Sequence, residues 1–139
     1  MKDVNRYTSN EFHDWQRANL PGAFVIQDVD AWALVVSDAQ TYEPLALVEL
    51  KRSSIDPTRW MPFDADRPNY AALLALATRA GLPLWVVYFQ MGKPIQADST
   101  LALFELHQAE PEYHGLRRYM QARDFAESFP YLFPVRNVA

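Results

Sequence analysis

The 139-residue chain contains no cysteine. That absence removes disulfides, thiolate metal sites and a thiol nucleophile together, and it suits a reducing compartment. Glycine is scarce, with four scattered residues, and no phosphate-cradling loop or dinucleotide fingerprint can be built from them. The three histidines, His13, His107 and His114, show no helical ligand spacing, so a histidine zinc site is not expected. Serine catalysis lacks its nucleophile elbow. No apolar run approaches the length that spans a bilayer, and the opening Met-Lys-Asp-Val-Asn-Arg lacks the apolar core of a signal peptide. A cytoplasmic protein without a membrane partner is expected. Lys and Arg number 13 against 17 Asp and Glu, a formal charge of −4; a general nucleic-acid coat protein would carry the opposite surplus.

What is present is apolar. Half of the residues are hydrophobic and 14% aromatic, enough for a single domain over 1–139 with a real core. Thr8-Ser-Asn-Glu11 reads as a capping box that starts a first helix, with Phe12 and Trp15 at helical spacing and Pro21-Gly22 as the stop. Ala23–Ile26 and Trp32–Val36 read as short strands, the second followed by turn-forming residues 37–44. Asp66, with Pro68 close behind, reads as the cap of a helix through Ala80 that Gly81 closes, with Tyr70, Leu73, Leu74 and Ala77 on its buried stripe. Leu84–Phe89 is apolar throughout, as in a central strand covered on both faces. Leu101–Leu106 reads as a further strand and 119–129 as a short helix. The fold class is α/β, a mixed sheet in the order α-β-β-β-α-β-β. The strand at 84–89 should run parallel to the one before its helix.

The stretch Leu45-Ala-Leu-Val-Glu-Leu-Lys51 carries the chemistry. Alternation puts Leu45, Leu47, Glu49 and Lys51 on one strand face. A Glu and a Lys that continue an apolar row either mark a strand end in solvent, as a surface pair, or face a pocket where carboxylate and ammonium have work to do. A hairpin that sets Val36 or Ser37 against Leu45 would bring Asp28 and Asp30 to the same end of the sheet.

This order of elements, with an Asp opening one strand and Glu49-Leu50-Lys51 closing the next, resembles the PD-(D/E)XK superfamily of restriction-endonuclease-like nucleases over roughly residues 6 to 107. The resemblance implies a metal-dependent phosphodiesterase acting on DNA. Asp30, favoured over Asp28, and Glu49 would hold Mg²⁺, or Mn²⁺ in its place, with the carbonyl of Leu50 as a third ligand. Lys51 would stand beside the attacking water, and Glu11 would reach the ion from the first helix. Arg52 and Tyr70 are candidate substrate contacts, with Arg59 and Lys93 as further phosphate contacts. A small nuclease that cuts both strands implies a homodimer, with the apolar tail 129–134 as an interface. The alternative is a non-catalytic nuclease-fold module that binds or assembles within a phage or mobile-element complex.

Overall fold

A computed structural model describes residues 2–24, 27–62, 64–106 and 116–132, with backbone alone for 2–10 and Leu116. Helix α1 spans Lys2–Asn19. It runs straight through Thr8, so the expected capping box is interior: a Thr caps only where the chain before it leaves the helix, and Lys2–Tyr7 contains no proline or glycine that would break it. Ala23 and Phe24 form a turn instead of the expected strand, with the Phe24 N–H donating to the Pro21 carbonyl at 2.9 Å. Val25 and Ile26 lie outside the described residues.

Strands β1 (Ala31–Val36) and β2 (Tyr42–Ser53) form an antiparallel hairpin. Its turn is held by Ser37, whose N–H reaches the Thr41 carbonyl at 2.9 Å. Gln40 adopts the left-handed region there, at φ 60°. Val36 faces Tyr42, not Leu45. The ladder slips between Ala33 and Leu34, whose partners are Ala46 and Pro44, which leaves Leu45 as an extra residue. A bulge re-aims what it inserts, and Leu45 accordingly packs with Ala46 and Ala33 on the far face of the sheet from Leu47. The expected alternation therefore holds for Leu47, Glu49 and Lys51 and fails at Leu45. Pro44 is tolerated because β2 meets its second neighbour only from Leu47 onward.

Helix α2 (Arg67–Ala80) carries proline in its first turn. It ends at Gly81, which takes the left-handed φ of 71° and donates to Thr78, while Leu82 donates to Ala77. The helix connects β2 to β3 (Leu84–Gln90), and the two strands pair in parallel, Leu47 opposite Leu84. Strands β4 (Thr100–Leu106) and β5 (Leu116–Gln121) follow antiparallel, and helix α3 (Ala122–Leu132) closes the described chain. Among the described residues the fold is α+β, with three α-helices and a five-stranded mixed sheet in the order β1-β2-β3-β4-β5. The element order is thus α-β-β-α-β-β-β-α, one strand fewer before α2 than expected and one more after β4. Strand β5 replaces the start of the expected 119–129 helix, and its exposed Arg117 and Arg118 are of the kind that an edge strand carries.

Both sheet faces are covered. On one, Tyr70, Leu73 and Ala77 of α2 pack with Trp60 over Leu47, Leu84, Val86, Tyr88 and Phe104. On the other, Phe125, Phe129 and Leu132 of α3 lie over Ala46, Trp85, Val87 and Leu103. Phe129 and Leu132 are thus partly buried against the core, while Tyr131 between them is 84% exposed; residues 133–134 lie outside the described region. Trp60 comes from the irregular segment after β2, yet it is 2% exposed. It stacks on Tyr88 at 4.4 Å and meets Phe104 edge-on at 5.4 Å. Trp60→Ala should cost about 3–5 kcal/mol, measured by urea unfolding; a loss under 1 kcal/mol, on the scale of surface changes, would mean that this segment does not complete the core. No helix among the described residues is long and apolar enough to cross a membrane.

Candidate functional site

The hairpin register builds the centre. Ala31 faces Val48, so one step past the end of the ladder Asp30 stands beside Glu49. Their carboxyls are within hydrogen-bonding reach of each other. Asp30 is exposed, whereas Glu49 is 6% exposed. Two carboxyls this close, one of them largely dry, cannot both ionise freely. Burial first, then the hydrogen bond and charge of Asp30, push the Glu49 carboxyl from its ordinary 4.5 up to about 8, against the opposing pull of Asn69 and Lys51.

Asp30 also accepts a hydrogen bond from the Leu50 N–H at 3.1 Å. The N–H and C=O of one strand residue project to the same side, so the Leu50 carbonyl opens toward Asp30 as well. Glu49 is steadied from α2: Asn69 Nδ2 donates to its Oε2, and Asn69 Oδ1 accepts from Gln27 Nε2 at 2.6 Å. Asn69 is not among the site residues expected from the sequence, being a poor match for the Gln that exonuclease-related members of the resembled superfamily carry before the Tyr on this helix. The available signal was its place in the first turn of α2, one residue before the buried Tyr70.

Lys51 shares the strand face of Glu49. Its Nζ lies 3.6 Å from Asp66 Oδ2 and 5.6 Å above the ring centre of Tyr70. Asp66 holds the N-cap position of α2 but makes no side-chain cap bond; its carboxylate serves the ammonium instead. Tyr70 is 1% exposed, so it underlies Lys51 and cannot act as the expected substrate contact.

Asp30, Glu49, Lys51 and Asn69 line one cleft of about 650 Å³ whose opposite wall is α1. The helix presents His13, Gln16, Arg17 and Leu20 to it, an i, i+3, i+4, i+7 set on a single face. Glu11 precedes His13 by two residues, about 200° around the helix. It is exposed and does not line the cleft, so the expected reach to an ion from α1 is not met by its placement. The apolar stripe that marked the helix in the sequence points outward, with Phe12 47% and Trp15 53% exposed. A polar clasp holds the inner face: His13 Nε2 meets Asp28 Oδ2 at 2.9 Å, and Gln16 Nε2 meets His13 Nδ1 at 2.6 Å. Asp28 is thereby drawn to α1 while Asp30 stays with Glu49. Arg52 is exposed, on the opposite strand face from Lys51 and outside the cleft. Arg59 is exposed, and Lys93 lines a separate depression beyond β3.

Among the described residues no three His, Asp or Glu side chains form a metal-binding group; the centre offers two carboxyls. That donor set fits a hard dication of the Mg²⁺ kind, which typically takes one or two carboxylates and keeps several waters. The elevated Glu49 is the electrostatic counterpart, since a dication between the two carboxyls would offset the burial, and relieve the repulsion from Asp30, that raise it. No protein-family model, curated protein or solved structure matches the chain.

Proposed function

We propose that this protein is a magnesium-dependent nuclease that hydrolyses DNA phosphodiester bonds, on a restriction-endonuclease-like core. One observation carries the reading: Asp30 and Glu49 meet at the floor of a cleft, with Lys51 on the same strand face as Glu49. Support also comes from the position of Glu-x-Lys on a strand that a crossover helix joins to a parallel neighbour.

Asp30, Glu49 and the Leu50 carbonyl would hold the ion, which when bound supplies Lewis-acid polarisation of the phosphoryl group and a water of lowered pKa. Lys51, held between Asp66 and the Tyr70 face, donates a hydrogen bond to the attacking water and offsets charge as it builds on the phosphoryl oxygens. Water attacks phosphorus in line as the opposite P–O bond breaks; the proton of the attacking water passes to solvent and a solvent water protonates the departing alkoxide, leaving a phosphate monoester and a free hydroxyl. Asn69 fixes which Glu49 oxygen faces the cleft. Asn69→Ala is therefore expected to weaken Mn²⁺ binding by about 10- to 100-fold with the fold intact, read by calorimetry; unchanged affinity would mean that the strand alone sets Glu49.

The test of the whole reading is incubation of plasmid, linear and branched DNA with the protein in Mg²⁺, Mn²⁺ or chelator, beside Lys51→Ala. Metal-dependent cutting that the variant loses supports it. Absence of cleavage on every substrate, together with absence of metal binding, would leave a binding or assembly module. Cutting of both strands would call for two clefts, and a homodimer is the economical way to supply them.

A further inference from the structure

The cleft contains a feature that hydrolysis at Asp30 and Glu49 does not use. Phe24 lines it, yet is 70% exposed. It is held there by the turn that follows α1, in which its own N–H bonds to the Pro21 carbonyl at 2.9 Å. Gly22, also on the cleft wall, has open space where a Cβ would project. On the adjoining turn of α1 stands Arg17. It pairs with Asp14 at 3.3 Å, with both side chains about three-quarters exposed, a pair that water and salt already weaken and that a phosphate can displace at little cost.

An exposed ring and an exposed guanidinium that line one cleft with the carboxyl centre fit one ligand chemistry well: an unpaired nucleobase with its phosphate. In a duplex each base is already stacked on both faces, and an aromatic side chain gains only from a base with a free face. The volume agrees, since 650 Å³ falls within the range of about 300 to 1,000 Å³ that holds small-molecule-sized ligands. We propose that the substrate strand enters the cleft single-stranded, with a base stacked on Phe24 and a neighbouring phosphate on Arg17. As a statement about substrate, this rests on the hydrolytic reading of Asp30, Glu49 and Lys51. The Phe24 and Arg17 wall makes it separately testable.

The experiment is fluorescence anisotropy of the full chain with a labelled 12-nucleotide oligothymidylate and with a blunt duplex of equal length, in Ca²⁺ to suppress cutting. The single strand should bind at least about ten-fold tighter. Phe24→Ala should weaken it about ten-fold, Phe24→Trp should restore it, and Arg17→Ala should weaken it while flattening its salt dependence. Phe24 is exposed, so its loss should leave the melting temperature unchanged. Equal affinity for duplex, or a Phe24→Ala protein that binds the single strand as the parent does, overturns the proposal. Metal-dependent cutting of duplex that is indifferent to Phe24 would overturn it while the nuclease reading stands. Phe24-dependent capture of single strands by a protein that cuts nothing in any metal would support the binding wall and overturn the nuclease reading.

Discussion

Lys51→Ala is expected to reduce metal-dependent DNA cleavage by about 10²- to 10³-fold, the usual cost of removing a single donor aimed at developing charge, with only a few degrees lost in melting temperature. The small structural cost follows from the environment of the ammonium. Its ion pair with Asp66 spans 3.6 Å with side chains 25% and 33% exposed, and pairs of that kind contribute about 0–1 kcal/mol. The large functional cost follows from position, since Lys51 lies two residues beyond Glu49 on the same face of β2 and lines the same cleft. Asp66→Ala separates the two roles. It deletes the same ion pair but keeps the amine, and should retain most of the cleavage. If both variants lose activity equally, Lys51 acts by holding α2 against the sheet and its chemical role is lost. Lys51→Ala also removes one of the two influences that lower the Glu49 carboxyl, so any residual cleavage should need higher pH.

The parts of this centre that were legible in the sequence are those fixed by local periodicity. Alternation in β2 placed Glu49 and Lys51 on one face, and a hairpin was enough to bring Asp30 to them. Pro68 and Gly81 delimited α2 because proline and glycine act through their own backbone restrictions. The unbroken apolar run of Leu84–Phe89 marked a strand with both faces covered. Residues set by how elements turn against each other were not legible. The apolar stripe on α1 suggested that Phe12 and Trp15 face inward, but a helix is rotated by whatever it docks on. Here the clasp of His13 with Asp28 and Gln16 turns the polar side toward the sheet. Arg17 entered the cleft, and Glu11 fell outside it, for that reason; Asn69 reaches it from the first turn of α2. The inserted Leu45 left no sequence signal, and the charged, exposed β5 lacked the alternation that identifies a half-buried strand.

Glu49→Gln should give the second large effect, with opposite signs for catalysis and for stability. The folded chain keeps the Glu49 carboxyl protonated up to about pH 8, against an ordinary 4.5. Between those values the folded state binds a proton that the unfolded state has released, so stability falls as pH rises. The contribution is whole below about pH 4.5 and is lost as pH passes through about 8; a shift of this size corresponds to a few kcal/mol. Glutamine cannot ionise, yet it still offers Asn69 an acceptor oxygen. In chelator, the variant should therefore melt higher than the parent at pH 8, match it near pH 5, and lack the parent's decline between them. Divalent-cation binding requires the ionised carboxylate and so releases a proton. Mg²⁺ should accordingly raise the parent's melting temperature more at pH 8 than at pH 6, and leave the variant unmoved. Cleavage should fall by about 10³-fold or more in the variant, since one of two carboxylates that place the ion is gone. Thermal melts across pH 5–9, with Mg²⁺ and with chelator, check these statements together. A parent and variant with parallel pH profiles would show that burial and Asp30 do not hold Glu49 protonated in the folded chain, and a variant still stabilised by Mg²⁺ would move the ion elsewhere.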